Sequence, residues 1–597
     1  MLGEGQIQNE LKNLKPPYVF LESLSPQHKH DQDFLFAPLE TVEIFRDGQK
    51  IEDFFERLEI WRKKGFWLAG YFTYEFGFYL DEAFKDLRKN FDFDLAWVGV
   101  CETPREIKPQ RLPQNMENLS YLTGAFVPQI SEGQYEGAIG RIKQFLETGL
   151  TYQVNYTFKQ KFHFQGDPLS FYFALRRSQP TRYAAFIHTG SKQVVSLSPE
   201  LFFQVDKNKI MVQPMKGTCA RGYNTVKDEE NLKRFISDAK TRAENLMIVD
   251  LLRNDLGRVC SRVTVKKIFE AEKYPTLFQM TSSIEGQLKK NTGIKNIFTA
   301  LFPSGSVTGA PKIKTMHLID ELEAAPRGVY TGAIGYIAPK NKMCFSVAIR
   351  TAQMQKDSGE LGIGGGIVYD SIAQEEYKEA LLKARFLTRH YPHFDLIETL
   401  LWERRKGYLF FDLHLARLGR SCEYFLRPHK IKAIRGYLLK VARRFKEEKI
   451  RVRLAIDPHG DITFNVREEK NIASPQTITL CESRLESNDV FLYHKTSHRS
   501  FYDEHLHKAR AAGFFETIFL NENGELTEGS FTNLFIEERG TLFTPPVACG
   551  LLPGVLREHL LSTGQAKEKI LYPADLKTAD KIFVGNSVRG LIEVEIL

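Results

Sequence analysis

Hydrophobic and polar residues change their spacing many times along this chain, which predicts a mixture of strands and helices. Short segments rich in β-branched and aromatic residues predict strands at Gln193–Leu197, Leu201–Val205, Lys209–Val212, Val329–Ile337 and Met343–Arg350. Apolar residues at helical spacing predict helices at Tyr135–Thr148, Leu169–Arg176, Asp228–Leu256 and Pro311–Glu323. The gaps between the strands are short enough for hairpins, so we predict an α+β fold with antiparallel sheet.

A change of pattern near residue 390 predicts a domain boundary. Glu375–Leu387 has the spacing of a helix, Phe394–Leu400 has that of a strand, and Pro392 lies between them. A chain of 597 residues is also too long for one hydrophobic core. We therefore predict domains at residues 1–390 and 394–597. Residues 102–130 are polar and contain prolines, which predicts a crossing between an N-terminal subdomain and the rest of the first domain.

Composition and charge exclude several classes of function. The net charge of +8, from 82 basic and 74 acidic residues, is mild, and there is no basic tract, which favours small anionic substrates over nucleic acid. No apolar run is long enough to span a membrane, and the first residues do not have the pattern of a signal peptide. The seven cysteines are scattered without metal-ligand spacing, which predicts reduced thiols and a cytoplasmic location.

Two lysines lie among small or hydroxylated residues instead of on an amphipathic helix. Lys216 lies in Gln213–Thr218, and Lys495 lies in His494–Arg499, after a predicted strand at 490–493. A lysine in such surroundings can act as a nucleophile, although a lone lysine is more often a surface charge. Because the two lysines are far apart in sequence and have different neighbours, we predict two catalytic centres.

Three glutamates are candidates for a metal site. Thr241–Gly257 predicts a helix ended by a glycine, with Glu244 near its buried end. Glu376 and Glu379 are spaced i,i+3 on a later helix and share a face with Lys383. Three carboxylates from two helices could hold one Mg²⁺ ion, but glutamates at this spacing more often form a solvated face.

Two glycine-rich segments could bind a ligand through the backbone. Residues 303–312 lead into a predicted helix whose free N–H groups could receive a carboxylate. Residues 362–367 would let the backbone approach a ligand closely. A plain turn is an equal alternative for each segment.

Four motifs together resemble the chorismate-utilising enzymes over about residues 15–390: Pro214–Thr218, Asp250–Asp255, Ser306–Lys312 and Gly364–Ile367. The resemblance implies an antiparallel β-sandwich core surrounded by helices. It implies that the Mg²⁺ ligands are Glu244, Glu376 and Glu379. It also implies that chorismate is bound by Thr308, Tyr330, Arg350, Gly364, Gly365, Gly366 and Lys383.

Lys216 points to one branch of this family. Aminodeoxychorismate synthases carry a lysine at this position, whereas anthranilate synthases carry a small residue. The resemblance implies that the amine adds at C2 of chorismate as the 4-hydroxyl leaves, after which ammonia enters at C4. Gln153 stands where the water-adding members have a lysine, which argues against isochorismate formation, and Gln279 stands where many relatives have a histidine.

The resemblance also implies partners. The chain has no Gly-x-Cys-x-Gly motif for a glutaminase, so a separate glutamine amidotransferase subunit, or free ammonia, must supply the nitrogen. Phe20–Ser23 and Gly70–Glu75 resemble the segments that bind tryptophan in this family. A strand with its core partner is an equal alternative for these two segments.

Five motifs resemble the class IV pyridoxal-phosphate enzymes over residues 394–597: Phe411–Leu418, Lys495–Thr496, Glu528–Phe535, Leu552–Arg557 and Gly585–Gly590. This family, which includes aminotransferases and aminodeoxychorismate lyases, implies a two-subdomain α+β fold. It implies that Lys495 binds the cofactor and that Glu528 faces its ring nitrogen. The residues implied around the phosphate are Arg417, Val555, Leu556, Asn586 and Ser587.

Arg499, close after Lys495–Thr496, is more typical of the lyases than of the branched-chain aminotransferases. The relatives often dimerise, which implies a homodimer through the C-terminal domain. Together the two resemblances imply the synthesis of 4-aminobenzoate for folate: chorismate is aminated and pyruvate is then eliminated. The alternatives are an anthranilate synthase fused to an aminotransferase, and a scaffold with decayed sites that only binds the amidotransferase.

Overall fold

The computed structural model describes residues 4–24, 33–107, 121–384, 387, 392–470 and 472–597. The chain forms two compact units, Met1–Cys219 with Lys233–Tyr391, and Ala220–Leu232 with Pro392–Leu597. Most of the predicted linker at 388–393 lies outside the described residues, as do residues 108–120 of the predicted crossing. Within the described ranges, no helix is both long enough and apolar enough to cross a membrane.

The strands before residue 391 are β1 (Tyr18–Glu22), β2 (Asp33–Phe36), β3 (Thr41–Phe45), β4 (Trp67–Phe72), β5 (Ala96–Cys101), β6 (Arg105–Ile107), β7 (Tyr121–Thr123), β8 (Val127–Pro128), β9 (Gln153–Gly166), β10 (Tyr183–His188), β11 (Gln193–Ser198), β12 (Leu201–Asp206), β13 (Lys209–Gln213), β14 (Met215–Ala220), β15 (Cys260–Lys273), β16 (Leu277–Leu288), β17 (Gly309–Ala310), β18 (Ala333–Ala338), β19 (Lys342–Val347), β20 (Thr351–Gln355) and β21 (Ser358–Ile367). The α-helices in the same range are α1 (Glu4–Asn13), α2 (Ile51–Lys63), α3 (Glu132–Glu147), α4 (Pro168–Ser178), α5 (Thr225–Ser237), α6 (Ala239–Val259), α7 (Ile294–Leu301), α8 (Lys312–Leu322) and α9 (Ala373–Ala384).

These strands form two large antiparallel sheets. One has the order β17-β9-β21-β20-β11-β10-β1-β2-β6, with β7 and β8 also on β9. The other has the order β14-β16-β13-β12-β19-β18-β4-β5-β3, with β15 on β16. Side chains from both sheets share one aromatic-rich core, in which Phe298 of α7 packs with Phe72 and Phe345. The predicted α+β class with an antiparallel sandwich is confirmed.

The second unit has two smaller sheets. Its strands are β22 (Leu396–Glu403), β23 (Gly407–Tyr408), β24 (Lys449–Ile456), β25 (Ile462–Glu468), β26 (Gln476–Leu485), β27 (Glu516–Asn521), β28 (Leu526–Gly529), β29 (Asn533–Glu538), β30 (Thr541–Thr544), β31 (Ala566–Glu568), β32 (Lys581–Asn586) and β33 (Gly590–Ile596). Its remaining helices are α10 (Phe411–Tyr424), α11 (Ile431–Ala442), α12 (Ser500–Ala511), α13 (Val555–Ser562) and α14 (Pro573–Thr578). The sheet orders are β23-β22-β24-β25 and β28-β27-β26-β33-β32-β29-β30-β31, in agreement with the predicted two-subdomain fold.

Three predicted elements are wrong in detail. The helix predicted at Asp228–Leu256 is two helices, because the Asp238 side chain accepts a hydrogen bond from Thr241 N and caps a new helix, α6. Gly257 does not end α6, which continues to Val259. The strand predicted at 490–493 is a short 3₁₀-helix, Val490–Leu492, capped by Asp489.

Candidate active sites

The glycines of β21 make room for the side chains of the first site. A Cβ atom built at Gly366 would lie 2.1 Å from Gln153 Nε2 and 3.4 Å from Lys216 Nζ. One built at Gly365 would lie 3.3 Å from Lys383 Nζ and 3.5 Å from Glu376 Oε2. β21 pairs with β9, where Gly366 lies opposite Asn155. The stretch Gly364–Gly366 is therefore free of side chains, and the predicted lysine and carboxylate residues gather around it.

Lys216 is held by the loop that contains Ser306. Lys216 Nζ donates a hydrogen bond to Ser306 O (3.0 Å), and Ser306 Oγ donates one to Glu200 Oε1 (2.5 Å). Burial lowers the pKa of Lys216, although the charges of Glu200 and Glu244 oppose that shift. A lowered pKa favours the neutral amine form of Lys216 over that of an ordinary lysine.

Sequence reasoning missed Glu200, which is 3% exposed and lies between β11 and β12, where the chain passes from one sheet to the other. Burial raises its pKa to about 7, while Ser306 and Lys216 oppose the shift. A carboxyl group with this pKa can deliver a proton near neutral pH. The only signal in the sequence was an acidic residue after Ser198-Pro199 in an apolar stretch, which is weak.

The three predicted metal ligands act on one another electrostatically. Burial raises the pKa of Glu244, and the charges of Glu376 and Glu379 raise it further, whereas Lys216 lowers it. Glu376 accepts a hydrogen bond from Ser371 Oγ, and Glu379 pairs with Lys383 (2.9 Å). Among the described residues, no three acidic, histidine or cysteine side chains are close enough together to hold a metal ion. The donor chemistry suits Mg²⁺, which would relieve the repulsion between these carboxylates.

The predicted chorismate ligands lie on the same framework. Tyr330 packs its ring against the backbone of Gly362, and Lys383 Nζ donates to Gly364 O (3.0 Å). Thr308 is fully buried and donates from Oγ1 to Ser304 O (3.1 Å). Arg350 has a φ of 50°, an uncommon backbone conformation for a residue other than glycine, and burial lowers its pKa. Such strain is often found at ligand sites.

The segments that resemble a tryptophan site are part of the buried framework. Glu22 accepts a hydrogen bond from Tyr172 Oη and pairs with Arg176 Nη2 (3.0 Å). Glu75 accepts hydrogen bonds from the backbone N–H groups of Arg327 and Gly328. These contacts give both carboxylates structural partners, and the tryptophan ligand stays a prediction.

The second site is centred on a partly buried lysine. Burial, together with the charges of Arg499 and Arg417, lowers the pKa of Lys495 to about 7, although Glu398 and Glu528 oppose the shift. The Lys495 carbonyl accepts a hydrogen bond from Ile397 N (2.8 Å), and Thr496 bridges to Leu396. The lysine is therefore fixed beside the edge of β22.

Glu528 is buried at the end of β28. It accepts hydrogen bonds from Leu552 N (3.1 Å), Tyr502 Oη (3.2 Å) and Asn533 Nδ2 (3.3 Å). Burial raises its pKa to about 8 in spite of these donors and of the charges of Arg499 and Lys495. A cationic partner would stabilise the charged carboxylate in such a site, and a protonated pyridine nitrogen is a partner of this kind.

Arg417, the predicted phosphate ligand, is held by a residue that the sequence did not reveal. Glu398 on β22 accepts from Arg417 Nε (2.8 Å) and Nη2 (2.7 Å), and it is 2.6 Å from His414 Nδ1. Burial acts to raise the pKa of Glu398, but Arg417 and His414 outweigh it and lower the pKa to about 2. Arg417 Nη1 also donates to Pro553 O (3.2 Å), which places it beside the loop before α13.

The remaining phosphate candidates fit in part. Val555 and Leu556 begin α13, and no side chain caps this helix, so its first N–H groups suit an anion. Asn586 Oδ1 accepts from Val588 N and Arg589 N, so this side chain shapes the turn that contains Ser587. Its contribution to phosphate binding would therefore come from the backbone. The buried lysine, the arginine and the helix N-terminus fit pyridoxal phosphate.

Comparison with known proteins assigns the two parts of the chain to two families. The profile of the chorismate binding enzyme family matches residues 17–389, and that of amino-transferase class IV matches residues 395–597. The chain is 35% identical over 289 residues to aminodeoxychorismate synthase component 1 of Bacillus subtilis, covering 48% of this chain and 59% of that protein. It is 38% identical over 269 residues to anthranilate synthase component 1 of Pseudomonas aeruginosa, covering 44% of this chain and 54% of that protein.

The solved structure of anthranilate synthase component I from Streptococcus pneumoniae superposes with a TM-score of 0.52 and 25% identity, covering 65% of this chain and 98% of that one. The chain thus spans a little over half the length of the two sequence relatives. The chain is thus about equally similar to an aminodeoxychorismate synthase component and to an anthranilate synthase component. The chain belongs to the chorismate binding enzyme family, and a class IV amino-transferase domain follows its chorismate-binding part.

Proposed function

We propose that this chain makes 4-aminobenzoate, a precursor of folate, in two steps. The first unit converts chorismate and ammonia to 4-amino-4-deoxychorismate, with ammonia supplied by a separate glutamine amidotransferase subunit. The second unit eliminates pyruvate from that intermediate with the help of pyridoxal phosphate. The observation that carries the proposal is the partly buried Lys216, with Glu200 linked to it through Ser306 beside the glycine strand.

In the first step Lys216 acts as the nucleophile. Its neutral amine adds at C2 of chorismate, both conjugated ring double bonds shift by one position, and the bond from C4 to the hydroxyl oxygen breaks. Glu200, whose pKa of about 7 leaves it partly protonated, gives its proton to this oxygen, which leaves as water. Ammonia then forms a bond to C4, both double bonds shift back, and Lys216 departs from C2.

Magnesium is proposed for the same step. Glu244, Glu376 and Glu379 are its proposed ligands: a cation would relieve their mutual repulsion, and it would have to draw their side chains closer together than they now stand. When bound, Mg²⁺ would stabilise the negative charge on the departing hydroxyl group. Lys383, now paired with Glu379, lies next to the glycine strand and would bind a substrate carboxylate.

In the second step Lys495 moves the protons. With its lowered pKa it can take the proton from C4 of aminodeoxychorismate, after which the bond from C3 to the enolpyruvyl oxygen breaks. The ring becomes aromatic, and the leaving group gains a proton to become pyruvate. Pyridoxal phosphate, when bound, supplies an electron sink for the carbanion that forms at C4. Arg417 and the first turn of α13 would hold its phosphate, and Glu528 would face its ring nitrogen.

The two halves can be tested separately in the full chain. Wild-type protein with chorismate, Mg²⁺, ammonium and pyridoxal phosphate should yield 4-aminobenzoate and pyruvate. Lys495→Ala should accumulate aminodeoxychorismate, and Lys216→Ala should stop its formation while supplied aminodeoxychorismate is still cleaved. A matched control is Lys508→Ala, which removes an exposed lysine paired with Glu504 on α12.

The alternative is an anthranilate synthase joined to an aminotransferase. The chain is about as similar to anthranilate synthase component 1 as to aminodeoxychorismate synthase component 1, so sequence identity favours the two functions equally. In that case the same assay would give 2-aminobenzoate, and Lys495→Ala would not change the product. A pyruvate-releasing reaction that depends on Lys495 would count against this alternative.

A further inference from the structure

A short segment of the chain belongs to the second unit although its neighbours on both sides belong to the first. Residues Ala220–Leu232 group with Pro392–Leu597, whereas Cys219 and Lys233 group with the first unit. The segment begins four residues after Lys216 and includes the start of α5. Its contacts within the second unit lead directly to the residue before Lys495.

Arg221 is the main anchor of the segment. Its Nε and Nη2 pair with the two carboxylate oxygens of Asp228 (2.6 and 2.8 Å), and both side chains are almost fully buried. Nη2 also donates to Tyr424 O (3.0 Å), and the guanidinium lies 4.3 Å from the centre of the Tyr424 ring. Because Tyr424 is the last residue of α10, Arg221 places a positive charge at the C-terminal end of that helix.

The backbone of the segment is fitted to the same place. Tyr424 Oη donates to Gly222 O (2.6 Å), and Gly222 N donates to Asp228 Oδ1 (3.0 Å). A Cβ atom at Gly222 would lie 2.1 Å from Asp228 N, so only glycine allows this tight turn. Asp228 thus fixes both the turn and the direction of Arg221.

The contacts continue to both sides of the cofactor site. The Tyr223 ring is 4.8 Å from that of Tyr493, and the Tyr424 ring is 4.5 Å from that of His494. Tyr223 packs against a buried cluster that contains Tyr493 and Tyr502. Tyr502 in turn donates to Glu528, and His494 directly precedes Lys495.

α10 joins these contacts to the phosphate side of the site. His494 Nδ1 is 2.9 Å from Ser421 Oγ on α10, the helix that also carries Arg417. Arg221 therefore contacts the end of the helix that presents Arg417, while Tyr223 contacts Tyr493, two residues before Lys495, in the cluster that also contains Tyr502. One short segment thus contacts the elements that carry both the phosphate side and the lysine side of the cofactor site.

We infer that residues 220–232 form a structural part of the pyridoxal-phosphate site, in which Arg221 and Tyr223 are positioning residues for Lys495 and Arg417. This inference rests on the proposed role of Lys495. It means that the second unit is complete only when a piece of chain from the chorismate-binding sequence is present. Misplacing reactive groups by about 1 Å can cost on the order of 100-fold in rate.

The test uses the full-length chain with Arg221→Met, Tyr223→Leu and the control Lys227→Met, whose side chain is 44% exposed and pairs with the exposed Glu230. Pyridoxal phosphate affinity is measured by the visible absorbance of the lysine-bound cofactor. The rate of pyruvate release from supplied aminodeoxychorismate and the rate of chorismate consumption are measured separately. Thermal unfolding checks that each variant is folded.

Arg221→Met and Tyr223→Leu should lower cofactor affinity roughly 10- to 100-fold and slow pyruvate release, with chorismate consumption within about twofold of wild type. Arg221→Lys should restore part of the loss, and Lys227→Met should have no effect. Wild-type affinity in both test variants, or an equal loss of chorismate consumption, would overturn the inference. If Arg221→Met does not fold, Tyr223→Leu decides. A visible band that persists in Lys495→Ala would instead refute the proposed role of Lys495.

Discussion

The lowered pKa of Lys495 makes a quantitative prediction about cofactor capture. The amine must be neutral to attack the aldehyde of pyridoxal phosphate. With a pKa of about 7, half of the Lys495 side chains are neutral at pH 7. An ordinary lysine with a pKa near 10.4 is neutral in only about one molecule in 2,500. Since the charge of Arg499 adds to the effect of burial, removing that charge should raise the pKa of Lys495.

The assay mixes cofactor-free protein with pyridoxal phosphate from about pH 5.5 to about pH 9.5 and follows the visible band. We expect the rate to rise through pH 7 and then to level off. Arg499→Gln should move the midpoint upward, Arg499→Lys should leave it in place, and Lys508→Gln, which removes an exposed lysine of α12, is the control. A rate that keeps rising tenfold per pH unit above about pH 8 would refute the reasoning.

Three further predictions follow from single contacts. Gly366→Ala should abolish chorismate turnover and leave pyruvate release intact in the product assay, because the added Cβ would clash with Gln153. The control Gly140→Ala, on an open face of α3, should keep both activities. Glu398→Gln should weaken cofactor binding, measured by absorbance titration, and destabilise the protein by about 3 kcal/mol in denaturant unfolding, because it breaks a buried pair with Arg417. The depressed pKa of Glu398 contributes stability that is complete above its unfolded value near 4.5 and is lost as the pH falls toward about 2. Over that range the unfolding free energy of wild type should fall more steeply than that of Glu398→Gln; parallel curves would contradict this assignment.

The sequence predicted the structure best where a local pattern of residue types has a single structural consequence. Glycines at 364–366 predicted close backbone approach, and the structure brings Lys216, Gln153 and Glu376 around them. The helical spacing at 135–148 predicted α3, which buries Tyr135, Ile139 and Ile142 at intervals of four and three residues. In both cases a local pattern determines the outcome.

Other features depend on contacts that are distant in sequence. Glu200 meets Ser306 across 106 residues, and Glu398 meets Arg417 from a different element, so neither could be assigned from its own neighbours. The apolar residues at 490–493 predicted a strand. The side chain of Asp489, which caps this segment, and the burial of Leu492 and Tyr493 within the second unit favour a 3₁₀-helix instead. The grouping of residues 220–232 with the second unit also had no local signal.

The position of the amino group on the aromatic product tests the central claim most directly. The full chain is incubated with chorismate, Mg²⁺, pyridoxal phosphate and ¹⁵N-labelled ammonium, and the labelled product is identified by mass spectrometry and NMR. The account predicts 4-aminobenzoate with the label on the ring nitrogen, one pyruvate for each molecule formed, and loss of the product in Lys216→Ala. Labelled 2-aminobenzoate as the main product would contradict it.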